Sequence, residues 1–293
     1  MRAMYVLTLV ATSLSDDCVA SARACLSGAG EPRWLADGVA CDIAFEGPAP
    51  EQAEGAVRAA LGDAPVDLLA QAMEGRRKGL LVADMDSTII TVECIDEMAD
   101  LLGLKAKIAA ITERAMRGEL DFEAALKERA GMLKGLAVAD LDRVYAERVS
   151  LTPGAETLVR TMTAHGAYAA LVSGGFRFFT GRVRQAARFD EDRSNELEVA
   201  DGKLTGRVIE PILGAEAKLA ALRELTTARG LSPDATLAMG DGANDLPMIR
   251  EAGLGLAFHA KPAVAAAARG RIEHTDLTTA LYFQGYARSE FAV

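Results

Sequence analysis

Asp84 and Asp86 stand two positions apart at the end of an apolar run, Leu80-Leu81-Val82-Ala83. Such a run reads as a strand buried on both faces of a parallel sheet. Ligands of these sheets bind at the carboxyl ends of the strands. Acids placed there are costly to bury without a bound positive group, and a metal ion answers that need. A second apolar run, Ala235 to Met239, ends in Gly240-Asp241-Gly242-Ala243-Asn244-Asp245 and adds the carboxylates of Asp241 and Asp245. A third, Tyr168 to Val172, ends in Ser173-Gly174-Gly175, whose hydroxyl and flexible N–H groups suit an anion-binding nest. Carboxylates without Cys or His partners favour a hard cation, and phosphate with Mg²⁺ is the common pairing. Lys218 opens a helical segment one helix length before the Asp241 strand, where a cation could reach a phosphate.

Other chemistries fail on the letters. A calcium loop starting at Asp84 needs Gly at its sixth position and Glu at its twelfth, where Ile89 and Ile95 stand. The phosphate-binding signature G-x-x-x-x-G-K-[ST] is absent. Leu171 occupies the first glycine of an esterase elbow around Ser173. The histidines His165, His259 and His274 form no cluster, which argues against a zinc enzyme.

From Leu80 onward strands alternate with helical patterns, the signature of a doubly wound parallel sheet. The stretch from about 92 to 150 interrupts that alternation with helices alone, as a lid over the strand ends would. There Ile95, Met98, Leu101 and Leu102 share one helical face, and Phe122, Leu126, Arg129 and Leu133 share another. An arginine on an apolar stripe has two readings: it snorkels to the surface, or it points into a cleft and holds an anion. Asp201-Gly202 signals a hairpin within Glu196 to Ile209, Gly253 to Phe258 reads as a strand, and Lys261-Pro262 starts a further helix.

Residues 1 to about 75 read as a separate α+β unit. Strands are expected at Tyr5–Val10 and Gly38–Phe45. Helical pieces are expected at Asp16–Leu26, with Val19 and Cys25 inward, and at Ala53–Leu61 and Val66–Met73. Met4 to Ala11 is apolar behind a single Arg2, but Thr8 interrupts it and Asp16-Asp17 follow, which favours a first strand over a leader. Gly75-Arg76-Arg77-Lys78-Gly79 reads as a linker with solvated charges. The chain of 293 residues is half hydrophobic and one quarter charged, so it is globular material with room for two or three units. A net charge of −10 argues against nucleic-acid and membrane-surface partners, and no stretch reaches the ~18 apolar residues of a membrane span. Four cysteines without a C-x-x-C pair read as reduced thiols in a cytoplasmic protein.

Taken in order, Asp84-x-Asp86-x-Thr88, Ser173, Lys218 and Gly240-Asp241-x-x-x-Asp245 resemble the haloacid dehalogenase superfamily of aspartate-nucleophile phosphatases. With Glu93-Cys94-Ile95-Asp96-Glu97 and Val172-Ser173-Gly174-Gly175-Phe176, the region from roughly 80 to 275 is similar to the phosphoserine phosphatases of that superfamily. The resemblance implies an α/β fold with a Rossmann-like parallel sheet over residues 76–293 and a helical cap inserted at about 92–150. It also implies an ACT-like regulatory or dimerisation module at 1–75. Asp84 is then the nucleophile and Asp86 the acid and base. Mg²⁺ falls to Asp84, Asp86 and Asp241, with Asp245 in support. Ser173, Gly174 and Lys218 bind phosphate, Glu93 and Arg129 read the ammonium and carboxylate of O-phosphoserine, and Asn244, Met116 and Phe122 complete the substrate pocket. The alternative is a phosphotransferase, or a phosphatase for another small phosphomonoester, of the same superfamily. A small-molecule substrate and a homodimer through the N-terminal module are the expected partners.

Overall fold

In the computed structural model, residues 4–116 and 120–292 are described. The N-terminal part runs β1 (Tyr5–Val10), α1 (Asp16–Ala24), β2 (Arg33–Ala36), β3 (Ala40–Phe45), α2 (Pro50–Leu61) and β4 (Asp67–Ala72). Its strands form an antiparallel sheet in the order β2-β3-β1-β4. Ser15 starts α1 by accepting a hydrogen bond from the Cys18 backbone, and Pro50 opens α2 where its missing N–H costs nothing. Val66–Met73 is strand rather than helix. Leu68 and Ala70 enter the core under α1 and α2 while Leu69 enters the opposite one, and an apolar run of this length carries no decisive period. In α1 the buried residues are Val19 and Ala22, and Cys25 is half-buried at the helix end.

Next come β5 (Leu80–Ala83), the cap helices α3 (Cys94–Asp100), α4 (Lys105–Met116), α5 (Phe122–Met132) and α6 (Val138–Arg148), then α7 (Ala155–Ala164) and β6 (Tyr168–Phe176). The chain continues with α8 (Arg177–Ala187), β7 (Glu191–Ala200), β8 (Lys203–Ile209), α9 (Ala215–Ala228) and β9 (Thr236–Gly240). It closes with α10 (Leu246–Glu251), β10 (Leu254–Phe258), α11 (Pro262–Ala267), β11 (Gly270–Ile272) and α12 (Thr279–Phe283). The second sheet has the order β11-β10-β9-β5-β6-β7-β8, parallel except for the β7–β8 hairpin. Every residue of β5 and β9 is buried, as a central strand covered on both faces requires. Leu102 is 40% exposed because α3 ends at Asp100 and Leu102 falls in the following turn.

Of the three charges between the two sheets, Arg77 is exposed as a solvated linker residue would be, but its two neighbours are not. Arg76 and Lys78 are each 8% exposed. Arg76 grips Asp42 of β3 with both terminal nitrogens (2.8 and 3.0 Å), reaches Thr8 of β1 at 2.9 Å, and donates to the Tyr282 and Phe283 carbonyls of α12 at 3.2 Å. The aliphatic stem and the fork explain why a charged residue sits here: each of the three guanidinium nitrogens finds an acceptor. Val10, Leu35 and Leu69 from the first sheet share one core with Ile272, Tyr282 and Phe283. Breaking such a pair by removing one partner costs about 3–5 kcal/mol, because the other charge stays buried. Arg76→Met is therefore expected to lower the denaturant midpoint sharply, and Arg76→Met with Asp42→Asn to regain most of the loss. Equal midpoints for the native chain and Arg76→Met would contradict this account.

Candidate active site

The sheet order brings the three strand ends side by side: β5 lies between β9 and β6. Asp84 follows β5, and its N–H donates to the Met239 carbonyl of β9 at 3.0 Å. Its Oδ1 accepts from the Met85 N–H at 2.8 Å and lies 2.7 Å from the Lys218 ammonium. Among the described residues the printed contacts of this carboxylate all fall on Oδ1, and Oδ2 accepts no hydrogen bond. Lys218, fully buried on the first turn of α9, also donates to Asp245 Oδ1 at 2.7 Å. Burial works against its charge, but the carboxylates of Asp245 and Asp84 outweigh burial and hold it protonated.

The loop after β9 folds onto itself. Asp245 Oδ2 accepts from the Gly242 N–H at 3.1 Å, and a Cβ on Gly240 would stand 2.3 Å from the Asp245 carboxyl. Only glycine admits that approach. The same holds at Gly175, where a Cβ would lie 2.8 Å from Asp86 Oδ2. Carboxylate oxygens of Asp84, Asp241 and Asp245 all lie within 4.8 Å of one another. This is an all-oxygen donor set of the kind that hard divalent cations prefer. Burial, then the charges of Asp84 and Glu93, push the Asp241 carboxyl up to about 7 against the opposing pull of Lys261 and Lys218. Crowded negative charge of this kind is what a cation relieves.

Asp86 is not one of that trio. Its Oδ1 accepts from the Cys94 N–H at 3.1 Å. Burial first, then Glu93 and Asp84, raise its carboxyl well above the usual range, despite the Cys94 bond. Cys94 is itself buried, so it contributes a backbone donor as well as packing. Ser173 and Gly174 occupy an irregular stretch of β6, between Val172 and Phe176, where register with β7 shifts. The Ser173 hydroxyl accepts from the Gly175 N–H at 2.9 Å.

Cap and core close over one cavity of about 330 Å³, walled by Asp84, Asp86, Glu93, Arg129, Ser173 and Asp241. Lys218 lies behind Asp84 rather than on the wall. Arg129 is half-buried and lines this cavity. Phe122, first on α5, stacks over the glycines of the core: Cβ atoms on Gly174 and Gly214 would meet its ring at 3.2 and 3.1 Å. Asn244 joins the wall with its amide folded over Gly242. Met116 ends α4, and its side chain lies outside the described residues.

Sequence reasoning passed over four residues. Lys261 and Thr112 line the cavity, and Ser87 holds Glu93. Buried Asn195 ties the Gly174 carbonyl (2.9 Å) to the Leu213 backbone (3.1 and 2.6 Å), bracing the phosphate-side loop.

The profile of the haloacid dehalogenase-like hydrolase family matches residues 81–250. A phosphoserine phosphatase of Polaromonas sp. (strain JS666) is 51% identical over 190 residues, 63% of this chain and 80% of that protein. The crystal structure of a haloacid dehalogenase family hydrolase from Salmonella enterica serovar Typhi superposes with a TM-score of 0.87 at 31% identity, covering 96% of this chain and 98% of the other. A substrate-bound phosphoserine phosphatase complex aligns at 36% identity and a TM-score of 0.66, covering 71% of this chain and 98% of the other. Strand ends, acidic trio, buried lysine and family match agree: the chain belongs to the haloacid dehalogenase-like hydrolases.

Proposed function

We propose that this protein is a Mg²⁺-dependent phosphoserine phosphatase that releases L-serine and phosphate through a phosphorylated Asp84. The observation that carries the reading is the pairing within one cavity of an Asp84–Lys218 centre with two opposite charges, Glu93 and Arg129, on the cap side. The first gives the chemistry; the second fits the ammonium and carboxylate of a phosphorylated amino acid. The relatives named above support the substrate.

Asp84 Oδ2 attacks phosphorus, and the bond to the seryl oxygen breaks. Protonated Asp86 gives its proton to that oxygen, so serine leaves as the neutral alcohol. Asp86, now a carboxylate, takes a proton from water as the water oxygen attacks the phosphorus of the aspartyl-phosphate. That breaks the Asp84–phosphorus bond, frees inorganic phosphate and restores both side chains. Ser173 and the Gly174 N–H hold phosphate oxygens, and Lys218 holds Asp84 Oδ1 in place with its charge close to the transferring group. Asp84 and Asp241, with Asp245 behind them and the Asp86 backbone carbonyl, would hold the Mg²⁺. The ion would neutralise phosphate charge when bound. Phe122 excludes water, and Asn244 closes the phosphate side.

The same reading makes residues 76–293 the catalytic unit with its cap at about 92–150, and residues 1–75 an ACT-like regulatory or dimerisation module. Sedimentation of the full chain as a monomer would remove the dimerisation part. No described helix is long and apolar enough to cross a membrane; we place the enzyme in the cytoplasm.

The test is phosphate release from O-phospho-L-serine beside small phosphomonoesters lacking its carboxylate or ammonium. Arg129→Met is expected to cut kcat/KM for phosphoserine by about 10²-fold, the scale of a charge-assisted bidentate contact, while leaving phosphoethanolamine nearly untouched. Equal losses on both esters would overturn the substrate assignment.

A further inference from the structure

Two neutral hydroxyls stand behind the two charges that face the cap side of the cavity. Ser87 Oγ donates to Glu93 Oε1 at 2.7 Å. The Arg129 guanidinium donates through Nη1 to Thr112 Oγ1 at 3.1 Å. Neither hydroxyl belongs to the groups assigned to the reaction above, and the two come from different elements: the turn after β5 and the middle of α4.

Their local settings hold them in place. Ser87 has a φ of 55°, the left-handed region that non-glycine residues adopt at a cost. That turn swings its hydroxyl back onto the residue six positions later, which is the cap of α3. Thr112 spends its own proton on the Ile108 carbonyl, one helical turn back, at 3.2 Å. Its oxygen lone pairs are thereby left for the guanidinium. Arg129 Nε donates to the Ala125 carbonyl of its own helix at 3.2 Å, so α4 and α5 fix the fork from two sides.

We propose that Ser87 and Thr112 are positioning residues that set substrate specificity, Ser87 by aiming Glu93 at the substrate ammonium and Thr112 by aiming Arg129 at the substrate carboxylate. The inference rests on the function proposed above and adds two residues to it.

Neutrality is what makes the arrangement work. A lysine in place of Ser87 would pair with Glu93 and compete with the incoming ammonium. A hydroxyl takes one lone pair of Oε1 and leaves Oε2 charged and available. A carboxylate in place of Thr112 would likewise compete with the substrate carboxylate. Guanidinium has five N–H donors; Thr112 and Ala125 take two, and Arg129 still lines the cavity with donors to spare. Glu and Arg each have several rotatable bonds, and freezing them before binding removes an entropy cost from the binding step.

The experiment measures kcat and KM for O-phospho-L-serine, phosphoethanolamine, which lacks the carboxylate, and 3-phosphoglycerate, which has a hydroxyl in place of the ammonium. The native chain is compared with Ser87→Ala, Ser87→Gly, Thr112→Val and Thr112→Ser, each first checked for native-like thermal unfolding. Ser87→Gly keeps the test alive if alanine disturbs the turn, because glycine accepts a positive φ. Both Ser87 variants are expected to raise KM about tenfold for phosphoserine and phosphoethanolamine, the two ammonium esters, and to leave 3-phosphoglycerate unchanged. Thr112→Val is expected to raise KM by a similar ~10-fold factor for phosphoserine and 3-phosphoglycerate and to spare phosphoethanolamine, while Thr112→Ser behaves as native. A uniform loss over the three esters would mean a general structural role and overturn the proposal. So would an unchanged KM with a lowered kcat, or no change at all. A native chain indifferent to which ester it is given would sink the reading of Glu93 and Arg129 itself, whatever the variants do.

Discussion

Asp84→Asn is expected to reduce phosphate release from phosphoserine by at least ~10⁴-fold, the scale on which nucleophile removal acts in enzymes of covalent mechanism. The amide keeps the size of the carboxyl but has no anionic oxygen to attack phosphorus. The fold should survive. Asp84 is one of three carboxylates crowded within 4.8 Å, so removing one negative charge relieves repulsion even as it weakens the Lys218 contact. The two effects separate cleanly: the melting temperature stays within a few degrees while turnover disappears. Acid quench of the native enzyme during turnover of labelled phosphoserine should trap label on the protein, and Asp84→Asn should trap none. Residual turnover above about one per cent in Asp84→Asn would show that another group, or water directly, attacks phosphorus, and the covalent route would fall.

Metal removal should have a comparable effect. EDTA is expected to suppress turnover by at least ~10³-fold, and Mg²⁺ to restore it, since several kcal/mol of transition-state charge stabilisation depend on the ion. A pH signature accompanies the loss. In the metal-free protein the Asp241 carboxyl is raised from 3.8 to about 7, chiefly by burial. Between those values the folded state holds a proton that the unfolded chain has released. Metal-free stability therefore falls as pH climbs through that window, because the unfolded state binds fewer protons. Metal must displace the same proton, so its affinity rises over the same range. The rise in melting temperature on adding Mg²⁺ should accordingly be larger at pH 8 than at pH 5. An equal rise at both values would remove Asp241 from the ion's ligands.

Much of this candidate site is legible in the sequence. Asp84, Asp86, Ser173, Asp241 and Asp245 announce themselves because each follows an apolar run, and a parallel sheet places all such ends on one edge. What could not be read was partnership. Lys218 suggested a cation for phosphate, but nothing in the letters pairs it with both Asp84 and Asp245. Ser87 and Thr112 are common helix-turn residues whose value lies in whom they touch. The linker charges were misjudged for the same reason: Arg76 looks solvated beside Arg77 and Lys78, and only the packing of β1, β3 and α12 around it reveals a buried fork. Val66–Met73 failed differently, because a strand apolar on both faces has the composition of a short buried helix.

The Arg76 clamp also bears on how the chain comes off the ribosome. The acceptors that complete it, the carbonyls of Tyr282 and Phe283, lie 206 and 207 residues downstream. At ribosomal speeds of about 5–20 residues per second, the first sheet waits on the order of 10–40 s after Arg76 is made before its last hydrogen bonds can form. For most of that interval the residues that share a core with Val10, Leu35 and Leu69, Ile272 among them, have yet to be made. The N-terminal sheet is thus made well before the groups that complete its buried clamp, and its locking has to wait for the far end of the catalytic unit.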